Sequence, residues 1–161
     1  MKFFHIEEDF ISYLRQFDTK VAENKKQTRP YVGIVLEINS IKYYAPFSSP
    51  KPKHKKMKNA KDFRKINNGM YRAINFNNMI PVLDSALIEI DIANITDVKY
   101  RRLLQNQYNS IKSDEKGILK TAENLRNLIF DEEKNLSEHD KIIKQRCCNL
   151  VLLEEKYNDW K

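Results

Sequence analysis

Apolar and polar residues alternate weakly from Lys2 to Ile6, which predicts a first β-strand. From Glu7 to Phe17 the apolar positions Phe10, Ile11, Leu14 and Phe17 recur at helical spacing and predict a short amphipathic helix. A polar stretch, DTKVAENKKQTRP, closes on Pro30. The β-branched and aromatic runs YVGIVLEI and IKYYAPF follow, parted only by Asn39-Ser40, and predict a hairpin. A second hairpin is predicted around INNGMY, where Asn68-Gly69 favours positive φ. MIPVL and ALIEIDI read as two more strands, and Pro81 marks the first of them as an edge or a bulge.

After Thr96 the period lengthens. Tyr100, Leu103, Leu104, Tyr108 and Ile111 form one helical stripe, and Ile118, Leu119, Ala122, Leu125 and Leu128 form another. Ser137 with Asp140 three residues on is a capping-box start for a third helix. LVLLEEKYNDW reads as a last helix, with Leu153, Tyr157 and Trp160 free to dock on the body. The predicted class is α+β: a compact, strongly curved antiparallel sheet or small barrel, with surrounding helices mostly in the C-terminal half. At 161 residues the chain is long enough for one core, and residues 1–161 are read as a single domain.

Charge changes the picture in one place. The net charge is +7, and residues 51–65 hold eight cations against one anion, Asp62, so this segment carries the whole surplus. A charge run alone is a solvated face; confinement of all the excess to one segment points to a polyanion-binding surface. The N-terminus reaches acidic residues after one short apolar run, unlike a signal peptide, and no apolar stretch is long enough to span a bilayer. The expected location is cytoplasmic. The adjacent Cys147 and Cys148 read as reduced and structural, since neighbouring cysteines seldom bridge.

Several chemistries find no support. Gly33, Gly69 and Gly117 are isolated, so there is no phosphate loop, and His5, His54 and His139 lack companions at metal-ligand spacing. No cofactor and no metal are expected. Ser48-Ser49-Pro50-Lys51 matches an S-x-x-K string, but that motif needs a helix, which Pro50 disfavours at Ser49. Metal-free RNA cleavage asks for less. The ribose 2′-OH attacks the adjacent phosphorus, leaving a 2′,3′-cyclic phosphate and a 5′-OH. The protein must align the attack, stabilise charge on the phosphate oxygens and help move two protons. Two serine hydroxyls and a lysine at the strand end FSSPK, beside a basic segment, supply such parts.

The strings GIVLEI, KYYAPFSSPK, NMIPV and CNLVLLEEKYNDW, with MKFFHI and FDTKV nearer the N-terminus, resemble the ToxN/AbiQ family of endoribonuclease toxins from type III toxin–antitoxin systems. The resemblance covers most of the chain in register and is weakest between about residues 105 and 144. It implies a compact toxin fold like that of the CcdB/MazF toxins and metal-independent cleavage at adenine-rich RNA sites. The implied partners are a small repeat RNA antitoxin, folded as a pseudoknot in a closed protein–RNA assembly, and cellular or phage mRNA as substrate. No membrane or DNA partner is implied; the biological role is phage defence by abortive infection.

Carried over by position, the resemblance makes Ser49 the essential serine, Ser48 its hydroxyl neighbour and Lys51 the lysine after the proline. Arg29 takes the place of a basic residue just before the first hairpin strand, and Tyr31 stands in for a catalytic tyrosine with no clear counterpart. His54 matches a histidine after the motif and is grouped with RNA-binding Lys53, Lys55, Lys56, Lys58, Lys61, Arg64 and Lys65. Tyr44 and Phe47 are either base-stacking rings or core. Two rival functions stay open: a non-catalytic RNA-binding translational regulator using the same basic segment, and a DNA-binding or protein-targeting toxin of similar shape.

Overall fold

The structure, a computed structural model, describes residues 1–26, 28–48 and 51–161, and the side chains of residues 32–36 lie outside that description. Strand β1 (Lys2–Ile6) leads into helix α1 (Glu8–Arg15), which buries Phe10, Ile11 and Leu14 on one face as their spacing requires. The hairpin β2 (Tyr31–Ile38) and β3 (Ile41–Pro46) turns on Asn39 and Ser40, at φ 51° and 64°. Two successive positive φ values give the primed turn whose twist matches the flanking strands. Residues Lys53–Lys56 then form one short helix, α2, where the sequence pattern predicts only a basic loop.

A small second sheet pairs β4 (Phe63–Lys65) with β5 (Ala73–Asn75) around the expected Asn68-Gly69 turn. The main sheet continues with β6 (Ile80–Pro81) and β7 (Leu87–Glu89), giving the antiparallel order β6-β3-β2-β1-β7. Strands β6 and β7 are its two edges, and no pairing joins them among the described residues. Of the two forms expected, a curved open sheet or a small barrel, the described residues form no closed barrel. Pro81, on the two-residue β6, has no N–H to give a further strand, as its place at an edge demands.

Helices α3 (Val98–Ser113), α4 (Glu115–Phe130), α5 (Glu138–Arg146) and α6 (Leu150–Lys156) make up the C-terminal half. Ser137 caps α5 by accepting from the Asp140 N–H, and Asp97 caps α3 through Lys99 and Tyr100. Helix α4 packs on β2 and α6 on β6. The core runs from Phe3 and Ile6 through Tyr43 and Ile80 to Leu104, Leu125 and Leu153. Leu119, which its spacing assigns to the α4 stripe, is exposed instead. Phe3 meets Phe47 edge-to-face at 5.0 Å, fixing the exit of β3 against β1. Among the described residues, no helix is long and apolar enough to cross a membrane.

Candidate active site

The end of β3 sets the geometry. Phe47 donates its N–H to the Pro30 carbonyl (3.1 Å) and Ser48 donates to Ala73 (2.9 Å), so the chain leaves β3 wedged between the 24–30 loop and β5. Phe47 and Ser48 are both buried, and Ser48 lines the wall of a cleft. That cleft, about 500 Å³, is lined by Arg29, Ser48, Lys51, Lys53 and His54 together with Glu23, Lys25, Met57, Asn75 and Asn78. Ser49 lies outside the described residues. Arg29, Ser48, Lys51 and His54 thus share one cleft, although the first comes from a separate loop.

Two polar atoms here are unusual. Ser48 is 6% exposed and His54 3% exposed, yet the Ser48 hydroxyl and His54 Nδ1 have no hydrogen-bond partner among the described residues. Buried polar groups are ordinarily satisfied, because an unmet one costs about 1–3 kcal/mol. Burial, and then the charges of Lys53 and Lys51, hold the His54 pKa below its ordinary value, which keeps the imidazole neutral at pH 7. The sequence groups His54 with solvated RNA contacts; the structure buries it, with its ring tilted on Phe63 at 5.3 Å.

Helix α2 is too short to hold this histidine by itself. Its carbonyl is backed by Gly69, where φ is +87° and an added Cβ would lie 2.8 Å from the His54 oxygen. Only glycine accepts both that dihedral and that approach. Arg29 is held from two sides: its Nε donates to Glu23 O (2.8 Å), and its carbonyl accepts from His5 Nδ1 (3.3 Å). His5 and Gly69 are positioning groups that no local motif disclosed, since each acts through the backbone of a distant segment.

The remaining candidates separate by environment. Tyr31 has no exposed surface, and burial raises its phenol pKa far above the ordinary value, so it is not presented to a nucleotide in this state. Tyr44 and Phe47 are likewise core rings rather than stacking platforms. Lys51, Lys53, Lys55, Lys56 and Lys58 are exposed and have no ion pair among the described residues. Lys61 is exposed too but is paired with Asp140 at 2.7 Å. Arg64 clasps Asp114 with two bonds of 2.5 and 2.7 Å, so its guanidinium ties the small sheet to the α3–α4 junction rather than facing solvent. Lys65 is half-buried, its N–H bound to the Asn59 side chain. Burial pushes the Cys147 thiol up to about 12 and Cys148 up as well, keeping both protonated and inert.

The described residues contain no group of three His, Cys, Asp or Glu side chains able to hold a metal ion. The cleft offers cations, the Ser48 hydroxyl and a neutral imidazole, a set suited to a phosphodiester. The fold is that of toxins from type III toxin–antitoxin systems: a solved chain from work on selective toxin inhibition by a non-coding RNA pseudoknot superposes with TM-score 0.87 at 33% identity, covering 98% of this chain and 96% of that one. The chain belongs to the family of the toxin ToxN, whose model matches residues 2–158. It is 34% identical to Endoribonuclease ToxN of Pectobacterium atrosepticum over 99% of this chain and 94% of that protein. It is also 32% identical to Endoribonuclease AbiQ of Lactococcus lactis subsp. lactis, over 97% of this chain and 87% of that protein.

Proposed function

We propose that the Arg29–Ser48–Lys51–His54 cleft is the RNA-cleaving site of this toxin. As a ToxN-family member the chain is an endoribonuclease of a type III system. The observation that carries the site is a pair of buried groups with no partner among the described residues, the Ser48 hydroxyl and His54 Nδ1, lining a cationic cleft. They gain a partner when a phosphodiester enters.

The reaction is attack of a ribose 2′-oxygen on its own phosphorus. The new O2′–P bond forms as the P–O5′ bond breaks, giving a 2′,3′-cyclic phosphate and a 5′-OH. Arg29 and Lys51 clamp the non-bridging oxygens, where charge accumulates. Ser48, with Ser49 beside it, donates to the same oxygens or relays a proton. Neutral His54 is free to accept the 2′-OH proton, and the Lys51 ammonium to protonate the leaving 5′-oxygen. Lys53, Lys55, Lys56, Lys58 and Lys65 hold the flanking backbone, with Lys61 and Arg64 joining only if RNA displaces their present partners, Asp140 and Asp114. Tyr31 is set aside as a proton donor because, unlike Ser48 and His54, it does not line the cleft.

The wider reading extends the family to this chain. Its substrates are adenine-rich cellular or phage transcripts in the cytoplasm, and its inhibitor is a repeat RNA pseudoknot that closes with it into an assembly. Residues 1–161 act as one unit, and the register shift in β2 between Val32 and Leu36 supports a strongly curved sheet. The test is digestion of a defined adenine-rich RNA in excess EDTA, with the new ends identified by mass spectrometry. Cyclic phosphate on the upstream fragment is expected. A 3′-hydroxyl end, or loss of cutting on chelation, would overturn the mechanism, and binding without cutting would favour a translational regulator.

A further inference from the structure

A recess roomier than the cleft lies elsewhere on the described surface. It measures about 680 Å³ and lies between Asn59–Lys61, the outer face of α4 and the α4–α5 connection. Small-molecule sites run at about 300–1,000 Å³, so it is large enough for a ligand. Its charges are already spent on one another. Lys61 meets Asp140 at 2.7 Å, and Asp131 accepts from the Asn135 amide at 2.9 Å. Two carboxylates against one ammonium leave the recess mildly anionic, which disfavours a phosphate.

What is unspent is amide. Asn124 and Asn127, one turn apart on α4, are exposed and have no hydrogen-bond partner among the described residues. Half-buried Leu128 and Leu136 supply apolar surface beside them. A side-chain amide offers a donor and an acceptor side by side, the pattern that matches the edge of a base, adenine best of all. A planar, uncharged ligand with a polar edge and apolar faces fits; an isolated anion or cation does not.

The position of the recess gives the base a source. Met57 lines the cleft and Asn59 lines the recess, so the two sites are separated along the chain by one exposed lysine, Lys58. A strand that left the cleft past Lys58 would meet that lysine with its phosphates and bring a base toward α4. We propose that this recess is a base-recognition subsite, in which Asn124 and Asn127 read one unpaired base, adenine by preference, of the RNA held in the cleft. The proposal rests on the assignment of the cleft as an RNA site and adds a sequence-reading element outside it.

Binding and cutting are measured apart, so that failure of one reading is separable from failure of the other. The probe is a 2′-O-methyl, adenine-containing oligoribonucleotide, which cannot undergo 2′-OH attack, synthesised with an abasic site at each position in turn. Its affinity is measured for the wild type and for the double variant Asn124→Ala/Asn127→Ala. Both side chains are exposed and alanine favours helix, so the variant folds. The expected loss is roughly tenfold in affinity for the intact oligomer. One abasic position should cost the wild type that same factor and the variant nothing, as coupled groups require. Binding by the variant within about twofold of wild type, or equal losses for both proteins at every abasic position, would overturn the subsite. Cleavage of the unmodified RNA in EDTA reports independently on the cleft.

Discussion

Lys51, Lys53, Lys55, Lys56 and Lys58 have no anionic partner among the described residues, whereas three arginines each grip a carboxylate with at least two bonds. Arg126 holds Glu154 and also donates to the Tyr43 hydroxyl, Arg146 holds Asp62, and Arg64 holds Asp114. All three pairs join parts of the chain far apart in sequence. The planar guanidinium fork suits it to such fixed ties, while an ammonium on a flexible stem suits a backbone whose phosphates vary in position. These three arginines tie distant parts of the fold and these five lysines leave a surface open, while Lys2, Lys42 and Lys61 elsewhere pair with Glu89, Asp84 and Asp140. The cleft lies where the two regimes meet, with Arg29 tethered to Glu23 and Lys51 exposed.

The largest effect should come from the buried histidine of the cleft. His54→Asn keeps a polar side chain and should lower the cleavage rate constant by about 10²–10⁴-fold with binding little changed. The same residue links folding to pH. Its folded pKa lies below the ordinary 6.5, so the folded protein takes up the proton less readily than the unfolded chain. Stability is therefore full above pH 6.5 and falls as pH drops through the lowered pKa. Thermal melts across this range should show the slope in wild type and a flatter one in the variant; an identical slope would place the titration elsewhere.

On the arginine side, Arg146→Ala strands Asp62, whose side chain is only 4% exposed. A buried carboxylate left alone should cost about 3 kcal/mol in a denaturant titration, with catalysis per folded molecule unchanged. The smallest effect belongs to the open lysines. Lys55→Ala should leave stability unaltered, weaken RNA binding a few-fold and reduce the log–log salt slope by roughly 0.7, the share of one single-stranded phosphate that the ammonium neutralises. A stability loss there comparable to that of Arg146→Ala would erase the distinction between the two regions.

Much of the frame was readable in the pattern of residues. Strand β1 spans the predicted Lys2–Ile6, the Asn39-Ser40 turn adopts the positive φ values that set a tight hairpin, and Ser137 caps α5 as its spacing to Asp140 predicted. These features depend on local sterics and short-range hydrogen bonds. Helix α2 was not readable, because Lys53–Lys56 has no apolar period and rests on the backbone at Gly69. Tyr44 and Phe47 could not be assigned to core or surface from alternation, since β3 is buried on both faces from Tyr43 onward. The pairing of Lys61 with Asp140 and of Arg64 with Asp114 joins residues 79 and 50 positions apart, beyond any spacing rule. The convergence of Arg29 with Ser48, Lys51 and His54 came from the resemblance, and the fold supplies its physical basis in the Phe47–Pro30 and Ser48–Ala73 hydrogen bonds.

A division of labour between the cleft and the lysines beyond it is tested most directly by single-turnover kinetics of Lys51→Ala beside Lys55→Ala, on one RNA in excess EDTA. Lys51→Ala should lose about 10²–10³ in the cleavage step while its affinity changes only a few-fold, and Lys55→Ala should show a loss of affinity with the cleavage step intact. Equal, modest losses in both variants, confined to binding, would contradict it.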